Sequence, residues 1–225
     1  MAGPQSYTPE QLDEAARNVL WWPAALALLI VGLGYSLLSQ LLTLGPPWLV
    51  LAVVLVASVL IYVLRWRGEH RSQRIVALAI LAIVTAAVAA SAVFLLVSSA
   101  VDSVPPVELL RDAILLWASN ILNFGLWYWE TDGGGPLSRL LRRTPPSTDF
   151  AFPPQQQAAL SGDKELEWAP QLIDYMFLAF TSSSTFGPTD TLVMARRAKV
   201  LMMLQASVSL VIFGGLVARA VGNLH

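Results

Sequence analysis

Four apolar runs, each long enough to cross a lipid bilayer, occupy nearly half of this chain: Leu20–Leu44, Trp48–Trp66, Ile75–Val101 and Val193–Val221. A hydrocarbon core of roughly 30 Å asks for about 20 helical residues at 1.5 Å each. Within it every backbone polar group must bond inside its own segment, so runs of this length leave a helical bundle as the fold. Charged residues make up only 13% of the chain, and the mean hydropathy is +0.60. A formal net charge of -1 carries no basic excess, which argues against nucleic acid as a partner.

Residues 1–18 are polar and lack the basic start, short apolar core and small-residue cleavage site of a signal peptide. Thr8-Pro9 followed by Gln11 reads as a capped helix start, so an N-terminal amphipathic helix leading to the interfacial Trp21 and Trp22 is expected.

Residues 19–129 form a four-helix transmembrane region. Its first span is taken as Leu20–Leu44, interrupted only by Ser36, Ser39 and Gln40, and Gly45-Pro46-Pro47 then turns it into Trp48–Trp66. The third span, Ile75–Val101, carries Ala79, Ala82, Ala86 and Ala90 at helical spacing, a stripe that predicts close approach of another helix. The fourth, Val107–Trp129, differs in its polarity. Asn120, Asn123, Trp127 and Glu130 share one face, and with Gln205 and Ser209 of the last span they give a polar set that serves either helix packing or an ion pathway.

Residues 130–170 are a polar connecting segment opening with Gly133-Gly134-Gly135-Pro136, which reads as a turn. It lacks the strand before it and the lysine after it that a phosphate loop needs. Leu137–Arg143 predicts a short interfacial helix with arginines toward lipid phosphates. Within 171–225, Asp174–Asp190 combines a short amphipathic helix, the hydroxyl run Thr181–Thr185, Gly187-Pro188 and an acid, which suits a re-entrant loop beside a polar pathway better than lipid contact. Gly214, Ala218 and Gly222 make a second small-residue stripe in the last span.

Cytoplasmic loops collect Lys and Arg. With five spans, a cytoplasmic N-terminus and a loop that returns to its own side, twelve of the fourteen fall inside and only Arg111 and Arg219 outside. Letting Trp168–Phe186 cross fully gives six spans and a split of ten against four. The expected fold class is therefore an all-α integral membrane protein with about five transmembrane helices plus a re-entrant pore helix and loop, six spans being the alternative.

Thr185-Phe186-Gly187-Pro188-Thr189-Asp190, after Thr181-Ser182-Ser183-Ser184, resembles the pore loop of the potassium-channel family, Thr-x-x-Thr-Thr-Val-Gly-Tyr-Gly-Asp. Thr185, Gly187 and Asp190 match, Phe186 stands at the valine, and Tyr175–Ser184 is placed as the pore helix. The resemblance covers about fifty residues with the last span. It implies a tetramer whose loops converge on one axis and replace the ion's hydration shell with carbonyls, with a monovalent cation, K+ foremost, as the permeant species and no bound cofactor.

Pro188 and Thr189 stand where the family has tyrosine and glycine, so the outer half of such a filter does not form in the usual way. Hydroxyls of Ser184, Thr185 or Thr189 then supplement the remaining carbonyls. The charge count puts this loop on the cytoplasmic side, inverted as in glutamate-receptor channels. The C-terminal half is also similar to uncharacterised bacterial inner-membrane proteins, which implies a multi-pass protein of that membrane.

The same residues also suit a plain capping turn, with Thr189 and Asp190 at the start of the last helix. Two functions follow from these readings. One is an oligomeric cation channel; the other is a non-conducting membrane interaction or scaffold protein whose 130–170 segment meets an unidentified protein partner. With no cysteine and only His70 and His225, an enzyme is not expected.

Overall fold

The computed structural model describes residues 21–99, 105–141, 149–161, 168–185, 187 and 190–222. The helix expected over residues 1–18 lies outside this set. The described chain is mostly helical. In order it forms α1 (Trp22–Ser36), a 3-10 turn at Gln40–Leu42, α2 (Trp48–Trp66), α3 (His70–Ser99), α4 (Pro106–Thr131), a 3-10 turn at Asp132–Gly134 and α5 (Pro136–Leu141). Strand β1 (Phe150–Ala151), α6 (Pro153–Ser161), α7 (Leu172–Thr185), strand β2 (Leu192–Val193) and α8 (Arg196–Gly222) complete it. Among the described residues α2, α3 and α8 are long and apolar enough to cross a membrane.

Proline and glycine set the boundaries. Pro47 caps α2 and Pro106 opens α4, where a missing amide hydrogen and a fixed φ are tolerated. Gly45 turns α1 back toward α2 with φ +84°, a left-handed angle that glycine takes without penalty.

The expected first span is corrected. Leu20–Leu44 is not one helix, because α1 stops at Ser36 after 15 residues, about 22 Å. The reason is Asp112. Its carboxylate is buried inside α4 and needs donors, which the chain after α1 supplies: the Ser39 amide donates to Oδ2 at 3.3 Å, the Ser39 hydroxyl donates to the same oxygen, and Arg111 donates to Oδ1 at 2.9 Å. A buried carboxylate without partners would be far costlier than a shortened helix.

The bundle has two distinct ends. At one, Trp21 stacks on Tyr62 at 5.9 Å, Arg74 donates to the Glu130 carbonyl and Arg197 to that of Thr131. At the other, Ser39 meets Asp112. Arg65, Arg67, Arg71, Arg74, Arg139, Arg196, Arg197 and Lys199 lie at the first end, and Arg111 and Arg219 at the second. We call these the basic end and the far end.

Helix α4 runs through the middle. It packs against α1, α3, α7 and α8 and buries side chains around its whole circumference from Ser119 to Trp129, while Leu110, Arg111 and Ile114 stay exposed nearer its start. Its polarity follows from that position, since neighbours on all sides offer hydrogen-bond partners that lipid cannot. The alanine stripe on α3 is not a contact: Ala79, Ala82 and Ala86 are exposed, and Ile80, Val84, Val88 and Leu95 face inward instead. On α8 the close approach uses Gly215 and not Gly214 or Ala218 of the expected stripe. A Cβ on Gly215 would stand 3.2 Å from Leu95 Cδ2, whereas one on Gly214 would meet only Leu96 at 4.0 Å.

The turn after α4 places Gly135 at φ +99°, where a Cβ would also lie 3.2 Å from the Glu130 carbonyl oxygen. Gly135→Ala is expected to cost about 1–2 kcal/mol of stability. Gly214→Ala, in a helix with room for a methyl, is expected to be neutral or stabilising. Thermal unfolding of the two variants in one detergent checks the contrast.

Candidate functional site

Helix α7 begins at the basic end. The Asp174 carboxylate accepts the Gln171 amide at 2.7 Å and so satisfies a donor at the helix start. From there α7 descends along α4 in the opposite direction. Met176 lies against Gly125, where an added Cβ would come 2.4 Å from its sulfur, and Phe180 meets Trp117 edge-on at 5.8 Å. Gly125 to Trp117 is eight residues, so α7 travels about 12 Å into the bundle between these contacts.

Helix α8 starts at the same end and runs the same way. The Gln205 amide donates to the Ala179 carbonyl at 2.7 Å, and one turn deeper Ser209 meets the Ser183 hydroxyl at 2.6 Å. Two consecutive helices that run in the same direction require the chain between them to come back. Its return is marked by Gln156, which donates to the Asp190 carbonyl at 2.8 Å and the Ala151 carbonyl at 2.7 Å, and by the antiparallel pairing of Leu192 with Ala151. The chain therefore goes in and comes out at the basic end, leaving the hydroxyl-rich end of α7 within the bundle's length.

The predicted loop residues sit as follows. Ser184 is exposed and donates to the Phe180 carbonyl, while exposed Thr185 is placed to donate to the carbonyls of Thr181 at 2.7 Å and Gly187 at 2.9 Å. Gly187 has open space where a Cβ would be. Asp190 is exposed and accepts from the Thr191 hydroxyl. Phe186, Pro188 and Thr189 lie outside the described residues. Thr181, Ser182, Ser184 and Thr185 all donate to carbonyls of their own helix, which satisfies their protons and leaves oxygen lone pairs for another partner.

Behind α7 lies a buried polar core. The Tyr128 hydroxyl donates to Gln205 Oε1 at 2.5 Å, and the Asn120 amide donates to Ser209 Oγ at 2.9 Å and the Gln205 carbonyl at 3.2 Å. Asn120, Gln205 and Ser209 thus converge as one group. Asn123 does not join them. Its amide, with the Trp127 indole, donates to the Thr85 hydroxyl on α3 at 2.7 and 2.9 Å. The expected single polar face is therefore two, one toward α8 and one toward α3. Asn120 Oδ1 and Asn123 Oδ1 are buried acceptors that meet no donor among the described residues.

A third group ties the basic end together, and sequence reasoning missed it. Buried Asp132 accepts the Tyr175 hydroxyl at 2.5 Å and the amides of Asp149 and Phe150 at 2.6 and 3.3 Å. Arg197 grips the Asp149 carboxylate with two bonds of 2.7 and 2.8 Å. Arg139, expected to face lipid phosphates, instead donates to the Trp129 and Asp132 carbonyls and lies over the Tyr175 ring at 5.1 Å; Arg142 and Arg143 lie outside the described residues. Burial pushes the Asp132 carboxyl up, opposed by Tyr175, Arg139 and the two amides. Phe150 and Phe152 pack edge-on against Tyr128 and Tyr175, so the described part of the 130–170 segment is bound into this chain's own core. The aromatic alternation Phe150-Ala151-Phe152 beside Asp149 was the available signal.

Among the described residues no group of three or more His, Asp or Glu side chains converges as a metal site would require. No family model matches this chain, and no curated protein and no solved structure shows significant similarity to it.

Two outcomes follow. Gln205→Leu leaves the Tyr128 hydroxyl without its acceptor and removes the side-chain bond to the Ala179 carbonyl, and is expected to cost about 1–3 kcal/mol, read by thermal unfolding in detergent. Glu130 lies just past the Val107–Trp129 stretch, where burial raises its carboxyl to about 7 against the pull of Arg74 and Arg139. An acid whose folded value is raised binds its proton more tightly when folded, so its contribution is lost as pH rises from about 4.5 to about 7 and is flat above. Up to roughly 3 kcal/mol of pH-dependent stability is expected across that window, and Glu130→Gln should remove it.

Proposed function

We propose that this chain is a multi-pass protein of a bacterial inner membrane whose copies assemble as a tetramer and pass monovalent cations, K+ foremost, along a path built on α7 and the loop after it. The observation that carries the reading is that α7 and α8 both start at the basic end, with the hydroxyl-rich end of α7 level with Ser209 of α8, and a re-entrant course of α7 would account for it. The C-terminus of a helix carries partial negative charge and unpaired carbonyls, and both favour a cation.

Ser184 and Thr185 present oxygens there, and the Gly187 carbonyl lies 2.9 Å from the Thr185 hydroxyl. Such oxygens can replace part of an ion's water shell. Asp190 is exposed at the basic end, where a carboxylate raises the local cation concentration. The outward face of α7, with Ile173, Phe177 and Phe180, is apolar and exposed, as an interface between copies around an axis requires. The excess of Lys and Arg at the basic end supports a cytoplasmic position for it.

Purified protein in liposomes is expected to release K+ faster than empty vesicles, with the flux reduced severalfold in Asp190→Asn and in Thr185→Val. Native mass spectrometry should give a tetramer. No flux above empty vesicles, with a monomer in the spectrometer, would overturn the reading and leave a non-conducting membrane protein.

A further inference from the structure

A cleft of about 560 Å³ opens at the basic end between α1, α2, α3, α4 and the triple-glycine turn, with no residue of α7 or its loop in its lining. It falls within the 300–1,000 Å³ range of small-ligand sites. Its two halves differ in chemistry. The depth is apolar, lined by Leu28, Ile61, Leu78, Leu81 and Leu126, and the mouth carries Arg65, His70, Arg71, Arg74 and Glu130.

Arg74 is the informative group. Its guanidinium reaches the Glu130 carbonyl through one bond of 3.4 Å, while its buried Nε meets no acceptor among the described residues. A buried donor without a partner is expensive, so its position makes sense if a ligand supplies the acceptor. Gly135, at φ +99°, brings the turn backbone beside that guanidinium: a Cβ there would stand 3.6 Å from Nε, in ordinary contact. Glu130, its carboxyl raised to about 7 by burial, opposes an anion less than an ordinary carboxylate would.

We propose that this cleft binds one anionic phospholipid, its phosphate on Arg74 with Arg65 and Arg71 close by, and an acyl chain in the apolar depth. An arginine fork matches phosphate oxygens in a way a point charge does not. The cleft's mouth lies at the level of exposed Trp21, an aromatic of the kind found at membrane interfaces. The site rests on the membrane part of the function proposed above and not on conduction.

The test uses the full chain in neutral detergent, stripped of lipid, with native mass spectrometry reading bound mass. The probes are phosphatidylglycerol, phosphatidylcholine and inorganic phosphate, each added alone. Phosphatidylglycerol is expected to bind at one per chain and about tenfold more tightly than phosphatidylcholine. Arg74→Gln should abolish that preference, and the far-end control Arg111→Gln should keep it. Should Arg74→Gln fail to fold, Ala25→Phe, which fills the cleft and leaves every arginine in place, should lose phosphatidylglycerol as well. Equal binding of the two lipids, unchanged binding in Arg74→Gln or Ala25→Phe, or tight binding of inorganic phosphate alone would overturn the proposal. Because none of these readouts needs ion flux, a failed channel and a failed lipid site give different results.

Discussion

The enclosure of α4 is the constraint on which the rest of the structure depends. This helix carries Asp112, Ser119, Asn120, Asn123 and Trp127, groups that cannot be left against hydrocarbon, and it is covered by α1, α3, α7 and α8. Specific polar groups find partners on three sides: the Ser39 turn after α1 for Asp112, Thr85 of α3 for Asn123 and Trp127, and Ser209 and Gln205 of α8 for Asn120 and Tyr128. Apolar packing alone would not fix these helices relative to one another, because lipid competes for the same surfaces. The polar pairs supply the register.

Helix α7 follows from the same requirement. Gly125 lets it approach α4 closely enough for Met176 to seat, and Gln205 holds the Ala179 carbonyl from behind. At its upper end Asp132, Tyr175, Asp149 and Arg197 lock the start of α7, the turn after α4 and the start of α8 to one another. Two basic residues open α8, an unfavourable place next to a helix N-terminus, and the Asp149 carboxylate offsets one of them. The two helices thereby share an origin, and the segment between them has to retrace its depth.

Where local chemistry was decisive, the sequence was legible. Trp48–Trp66 is read to its limits because Gly45-Pro46-Pro47 precedes it and arginines follow, and Asp174 declares the start of α7. Leu20–Leu44 is misread because nothing in an apolar run shows that Asp112, 73 positions away, will claim Ser39. The alanine stripe misleads because an apolar helix carries small residues on several faces and only packing decides which is used. Asn120, Gln205 and Ser209 were recognisable as polar positions out of place in lipid, and they do converge. Asn123 diverges because three residues along a helix leave it rotated toward α3. The clamp at the basic end was hidden since Arg197 and Asp149 are 48 positions apart and the acid sits in a segment that reads as a linker.

The central claim is that α7 and α8 start on one side of the membrane, and the absence of cysteine makes it directly measurable. Single cysteines placed at Gln171, Asp190 and Lys199 are labelled with an impermeant maleimide in right-side-out and inverted vesicles, with Arg71 and Arg111 positions as markers of the two faces. All three should react from the side of the Arg71 marker and none from that of Arg111. Labelling of Gln171 and Lys199 from opposite sides would mean that α7 crosses fully, and the account would fail.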